Sequence, residues 1–236
     1  MSEWQARVFW EEVEVIPLEN GFGITLDSKL VKTPKQYTLK VPTKSLALGI
    51  EKEFLSQHEV INPNTMEFTR LANTAIDQVT PHRERIVHSL TEYAHTDLLY
   101  HFAPEPQELT EIQEKNWKPL IQWIESTLGV SINSGYGIMP IHQHPETIEV
   151  FQGELKKMNN FLLTSFSDIV PLLGSLILGM ALLRGLKTVE ETWHLSRIDT
   201  DYQSTKWGKD HEDLAAEALK KKDFIKAYEF AMCSLK

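Results

Sequence analysis

The chain reads as an α+β protein, with a small antiparallel β-rich N-terminal domain over residues 1–80 followed by an all-α helical C-terminal domain over residues 81–236. Two observations predict this. Between residues 7 and 42, short apolar/polar runs are punctuated by Gly, Pro and Asp. From Thr65 onward, apolar residues recur at i, i+3, i+4, i+7 in one segment after another. Strands grouped before helices, rather than alternating with them, exclude a βαβ architecture.

The elements follow in order. Phe9 to Leu18 alternates in part, with Val13 and Val15 between charges, and Gly21-Phe22-Gly23 reads as a turn. Ile24-Thr25-Leu26 ends at a second turn, Asp27-Ser28-Lys29, and Leu30–Thr33 stops at Pro34. Tyr37–Val41 alternates again and stops at Pro42. Thr43 stands at a cap position before Leu46, Ile50 and Phe54, which share a helix face until Asn62-Pro63. Phe68, Leu71, Ala72, Ala75, Ile76 and Val79 form the next stripe. Pro81 opens a helix with Ile86, Leu90, Tyr93 and Asp97 on one face. Leu109 to Leu128 makes another, kinked or restarted at Pro119 and closed by Gly129. After a Gly-rich connector with short strand character (Val130–Ile141), the spacing predicts helices over Pro145–Met158, Phe161–Leu183, Val189–Trp207 and Leu214–Leu235.

Composition narrows the function. A chain of 236 residues with 42% apolar content can bury a substantial core. A net charge of −9 disfavours nucleic-acid partners, whose phosphates demand Lys and Arg. The single cysteine, Cys233, cannot form an internal disulfide and fits a reducing compartment. Met1-Ser2-Glu3-Trp4 lacks the basic and apolar signature of a signal or transit peptide. The apolar run Ile169–Leu183 is interrupted by Pro171, Gly174 and Gly179 and falls short of the roughly 20 residues a bilayer requires. It is expected to be a buried central helix, with no membrane insertion.

No phosphate-binding glycine loop is present, and the close pair His142/His144 has no third ligand at zinc spacing. No cofactor, metal or small-molecule substrate is expected. Three polar groupings remain. Arg70, Asn73 and Asp77 line up opposite an apolar stripe and are expected to lock their helix to other elements. Asp97, on an apolar face, needs an arginine such as Arg70 or a helix N-terminus as partner. Arg197 and Asp199 complete this structural polar set. In the third grouping, Tyr202 and Trp207 stand among the carboxylates Asp201, Asp210, Glu212 and Asp213. Aromatic anchors ringed by charge have the composition of a protein-binding surface, and acids at a helix start also satisfy its dipole. A hydrolase using Asp97 or Asp199 as base would need a nucleophile and a cleft, which the sequence does not display. A scaffold that stays in a finished complex is a further class.

Met66-x-x-Thr69-Arg70-Leu71-Ala72-Asn73-Thr74-Ala75-Ile76-Asp77, Thr96-Asp97-Leu98-Leu99, Gly137-Ile138-Met139-Pro140 and Leu195-Ser196-Arg197-Ile198-Asp199 with Trp207-Gly208-x-Asp210 resemble the chaperone family that assembles the catalytic head of F-type ATP synthases. Arg7-Val8-Phe9-Trp10 and Leu30–Pro34 resemble that family's first strands, so the likeness runs along the whole chain. The resemblance implies a non-enzymatic chaperone that binds the unassembled alpha subunit until the beta subunit covers it. It also implies a role for an acidic residue near Trp207-Gly208, matched here by Asp210, Glu212 or Asp213. Tyr202 and Lys206 depart from the family pattern. A bacterial cytoplasmic setting is expected, or the mitochondrial matrix in a eukaryote.

Overall fold

The structure is a computed structural model and describes residues 7–208 and 211–235. A small antiparallel sheet at the N-terminus is followed by a helical region, the α+β arrangement expected from the residue pattern. The chain groups into two compact units. One comprises the described residues of Met1–Arg83 with Asn159–Ser165 and Glu229–Lys236, and the other Glu84–Met158 with Phe166–Tyr228.

In the first unit, β1 (Val13–Leu18) pairs antiparallel with β2 (Gly21–Leu26), Val13 facing Leu26 and Leu18 facing Gly21. The far side of β2 is shared by β3 (Lys29–Leu30) and β4 (Lys40–Val41). The first turn therefore lies at Glu19–Asn20, not at Gly21-Phe22-Gly23, with Asn20 at φ 59°. Gly21 belongs to the strand because β4 crosses closely: a Cβ there would stand 2.5 Å from the Val41 carbonyl oxygen. Asp27 and Ser28, both at positive φ, make the tight β2–β3 turn.

Thr43 caps α1 (Lys44–Leu55), its Oγ1 accepting the Leu46 N–H at 3.1 Å. Leu46, Ala47, Ile50 and Phe54 of α1 share a buried core with Ile24 and Val41 of the sheet and with Leu39, which precedes β4. Glu53 then fixes the start of α2 (Glu67–Thr74), accepting the Phe68 and Thr69 N–H groups at 2.7 and 2.8 Å. Burial raises the Glu53 carboxyl above its ordinary range against these hydrogen bonds. Beyond α2 the helix widens into a π segment, Ala75–Val79. Residues distant in sequence complete this core: Phe230 stacks edge-on against Phe68, and Thr43 Oγ1 donates to the Cys233 carbonyl at 2.5 Å.

The second unit is helical. It contains α3 (Arg83–Thr91), whose first residue belongs to the first unit, and α4 (Gln107–Leu128), which runs unbroken through Pro119 and ends at Gly129 with φ 67°. Two-residue parallel strands β5 (His101–Phe102) and β6 (Gly135–Tyr136) pair. Then follow α5 (Pro145–Lys157), α6 (Asn160–Leu173, its residues up to Ser165 belonging to the first unit), α7 (Leu176–Leu183), α8 (Val189–Ser196), α9 (Ile198–Trp207) and α10 (His211–Leu235, its residues from Glu229 onward belonging to the first unit). Among the described residues, no helix is long and apolar enough to cross a membrane.

Two long helices expected from the sequence are each divided. Val189–Trp207 breaks at Arg197, and Phe161–Leu183 breaks at Gly174-Ser175. The second break exists because Asp97 occupies it. Asp97 is not on the face of Ile86, Leu90 and Tyr93, since α3 ends at Thr91. It caps the short 3-10 turn Leu98–Tyr100 instead, accepting the Leu99 N–H at 3.1 Å. Fully buried, Asp97 also accepts the Ser175 hydroxyl at 2.6 Å and the Ile177 N–H at 3.1 Å, while Leu98 N–H donates to the Gly174 carbonyl at 3.1 Å. Gly174 takes φ 67°, a left-handed conformation that a side chain would resist. Asp97 thus pairs with a helix N-terminus.

Burial pushes the Asp97 carboxyl up to about 6, against the hydrogen bonds from Ser175, Leu99, Ile177 and Leu176 that favour the charged form. A folded pKa above the unfolded 3.8 means that its contribution to stability is whole below pH 4 and is lost as pH rises through 6. Asp97→Asn abolishes this titration. In urea unfolding, the wild-type advantage over this variant is expected to fall by about 3 kcal/mol between pH 4 and pH 7. An advantage that stays constant over that range would refute the assignment. Asp97→Ala strands several buried donors and is expected to cost about 3 kcal/mol or more at any pH.

Candidate functional site

The aromatic and acidic grouping falls on α9 and the start of α10. Asp199 and Asp201 lie in the first turn of α9, where the helix dipole favours carboxylates. Gln113, buried in α4, donates its Nε2 to Asp199, while its Oε1 accepts the Ala103 N–H at 2.6 Å. Partial burial raises the Asp199 carboxyl above its ordinary range. Trp117 of α4 donates Nε1–H to the Leu195 carbonyl at 3.0 Å and so pins the α8–α9 corner. The base of α9 is therefore fastened to α4 from within.

Its outer residues are fastened less firmly. Tyr202 donates its hydroxyl to Glu108 at 3.0 Å, and Lys206 lies 3.6 Å from Glu108 and 5.2 Å from the Tyr202 ring. Asp201 stands 3.6 Å from His194 Nδ1. Trp207, the last residue of α9, is 81% exposed. Glu212 and Asp213 are exposed on the first turn of α10, with Leu214 and Leu219 also exposed farther along. Asp210 lies outside the described residues. Arg197 reaches Glu217 at 3.7 Å and stacks on Trp193, bounding a cavity of about 320 Å³ lined by Arg197, Ser204, Trp207, Asp213, Glu217 and Lys220. The structure brings Arg197, Trp207 and Asp213 to one cavity and places Tyr202 against α4 instead.

The polar residues of the first unit are arranged differently. Asp77, 4% exposed, accepts the Thr33 hydroxyl at 2.6 Å and the Lys35 N–H at 3.1 Å. It therefore locks its helix to the loop after β3. Arg70 and Asn73 lie on the same helix face but contribute no hydrogen bond to that lock. No group of His, Cys, Asp or Glu among the described residues is placed to hold a metal.

The exposure of several apolar residues and the partners of two site residues were not read from the sequence. Leu214 and Leu219 fall out of phase with the buried stripe Phe224, Ala227, Phe230 and Ala231, a helical-periodicity signal that was available. Ile138 and Met139 are 98% and 75% exposed on a loop whose base is held by β5–β6 pairing and by Gly137 N–H donating to the Phe102 carbonyl. Glu108 and Glu217, which orient Tyr202 and Arg197, carried no local signal because their partners are distant in sequence.

Residues 7–125 match the family model described as ATP12 chaperone protein. The chain is 28% identical over 232 residues to protein atp12, mitochondrial, of Schizosaccharomyces pombe, covering 92% of this chain and 79% of that one. The crystal structure of Atp12 from Paracoccus denitrificans superposes with a TM-score of 0.94 at 36% identity, over 98% of this chain and all of that one. A point mutant of the Paracoccus denitrificans protein gives 0.95 at 36% identity, over 99% of this chain and all of that one.

The Gln113 bridge predicts a measurable coupling. Gln113→Ala leaves Asp199 and the Ala103 N–H without their partner and is expected to cost about 1–3 kcal/mol in chemical denaturation. Near-ultraviolet dichroism of the native tryptophans should change with it. Unaltered stability would show that the bridge does not hold α9.

Proposed function

The chain belongs to the ATP12 chaperone family, and we propose that it assists assembly of an F-type ATP synthase by binding the unassembled alpha subunit and yielding it to the beta subunit. The observation that carries the choice of contact surface is Trp207, 81% exposed where α9 ends, beside the exposed carboxylates of the first turn of α10. A tryptophan left in water beside acidic side chains is a combination found at the centre and rim of protein interfaces.

An unpartnered subunit exposes a face meant for its neighbour, and such a face promotes aggregation. On this reading Trp207, Leu214 and Leu219 cover the apolar part of that face. Asp201, Asp210, Glu212 and Asp213 meet its cations, and Tyr202 borders the contact. Rim charges act mainly on encounter rate and partner choice. The complex therefore forms quickly yet yields to a partner with a larger interface, and release by competition needs no nucleotide. The action is non-catalytic, and the setting is the bacterial cytoplasm or the mitochondrial matrix.

Co-expression with the alpha subunit alone tests the proposal, scored by soluble yield. Trp207→Ala is expected to weaken the complex by about 2 kcal/mol, roughly 30-fold in Kd. Reversal of Asp201, Glu212 and Asp213 to lysine is expected to slow association and flatten its salt dependence. Undiminished solubilisation by both folded variants would refute this surface. A subunit that stays insoluble even with the unaltered protein would refute the client.

A further inference from the structure

The first unit carries a groove of about 460 Å³ that the proposed client surface does not use. Its floor runs along α2 and the π segment, where Arg70 is exposed, Asn73 is half-buried, and Met66 at the N-cap and Asp77 are nearly buried, and its walls carry Pro34 and Pro63. The wide turn, in which Thr80 N–H donates to the Ala75 carbonyl at 2.9 Å, carries Asp77 inward onto Thr33 and Lys35. Lys35 Nζ donates to the Asp77 carbonyl at 2.9 Å. The groove's one carboxylate is thus satisfied by the fold.

The Arg70 and Asn73 side chains there are not. Arg70 is exposed and forms no ion pair with any described residue. Asn73 Oδ1 is buried and accepts no hydrogen bond from any described residue. A free guanidinium matches a carboxylate in a two-pronged geometry. A free carboxamide, donor on one side and acceptor on the other, matches a backbone peptide group. Asn73 and Arg70 are three residues apart, about 4.5 Å along the helix, and Met66 lies about 6 Å beyond Arg70. Two residues of an extended chain span about 6.6 Å and point to the same side.

The geometry points to a peptide-docking groove. Its occupant is an internal extended segment of a protein partner, with an Asp or Glu side chain on Arg70, a backbone amide on Asn73, and an apolar side chain two residues from the acid against Met66 and Pro63. The groove selects acidic segments, whereas the α9–α10 surface selects basic ones. The inference stands apart from the identity of the alpha-subunit client.

Two capped, fluorophore-labelled peptides serve as probes, acetyl-Gly-Ser-Leu-Ser-Asp-Ser-Gly-amide and its reversed order, because the groove does not fix chain direction. One of them is expected to bind the full-length protein in fluorescence anisotropy. Replacing the peptide's Asp by Asn, or its Leu by Gly, should weaken it about tenfold. Arg70→Glu should abolish its binding and confer binding of the peptide with Lys in place of Asp. Asn73→Ala should weaken the original about tenfold. Arg70 lies at the surface and Asn73 is half-buried, and unchanged circular dichroism of both variants verifies the fold. Failure of both peptides to bind at about 1 mM, a Kd worth only about 4 kcal/mol, binding indifferent to Arg70→Glu, or binding only of peptides with a free C-terminal carboxylate would each overturn the inference.

Discussion

One buried carboxylate organises the helical unit. Asp97 is enclosed and receives hydrogen bonds from the Ser175 hydroxyl and from the backbone of Leu99 and Ile177. An ionisable group in that position is tolerated only because two helical starts converge on it. The cost of its burial shows in its raised pKa. Removing the break at Gly174-Ser175 would leave Asp97 with the Leu99 N–H but without Ser175 and Ile177; removing Asp97 would leave the break without an acceptor. The most apolar helix, α7, with seven buried residues from Leu176 to Leu182, begins at this point.

The same unit shows the opposite treatment of its surface. The base of α9 is held by Gln113 and Trp117, so Trp207 is presented from an anchored element although little covers it. Ile138 and Met139 repeat the pattern, with a fixed loop base and exposed apolar tips. Exposed apolar groups on anchored supports lose little conformational freedom on contact, which suits reversible association. The first unit instead offers a groove, with its acid consumed internally and a cation left outside.

Much of the fold was legible from residue pattern. The Thr43 cap, the α1 stripe, the Gly129 terminus and the Asp27-Ser28 turn all rest on interactions within a few residues. The misplacements have local causes as well. Gly21 and Gly23 resemble a turn in isolation, but a Cβ at Gly21 would meet the Val41 carbonyl of β4, which pairs with β2 from some twenty residues later, and one at Gly23 would meet the Leu18 and Leu30 side chains. Phe161–Leu183 carries a nearly unbroken helical signal, and nothing nearby indicates that Asp97 will intervene.

The sequence by itself determined the fold class, the composition of the aromatic and acidic segment, and the order of motifs that matches the ATP12 family. Periodicity, capping and motif spacing are short-range properties, written where they act. Only the tertiary structure decided that Asp77 turns inward while Arg70 stays outside, that Asp97 meets Ser175, and that Glu108 and Gln113 steady α9. Each of these depends on groups tens of residues apart, and their pairing is settled by which buried polar atoms can find a partner once the chain has packed.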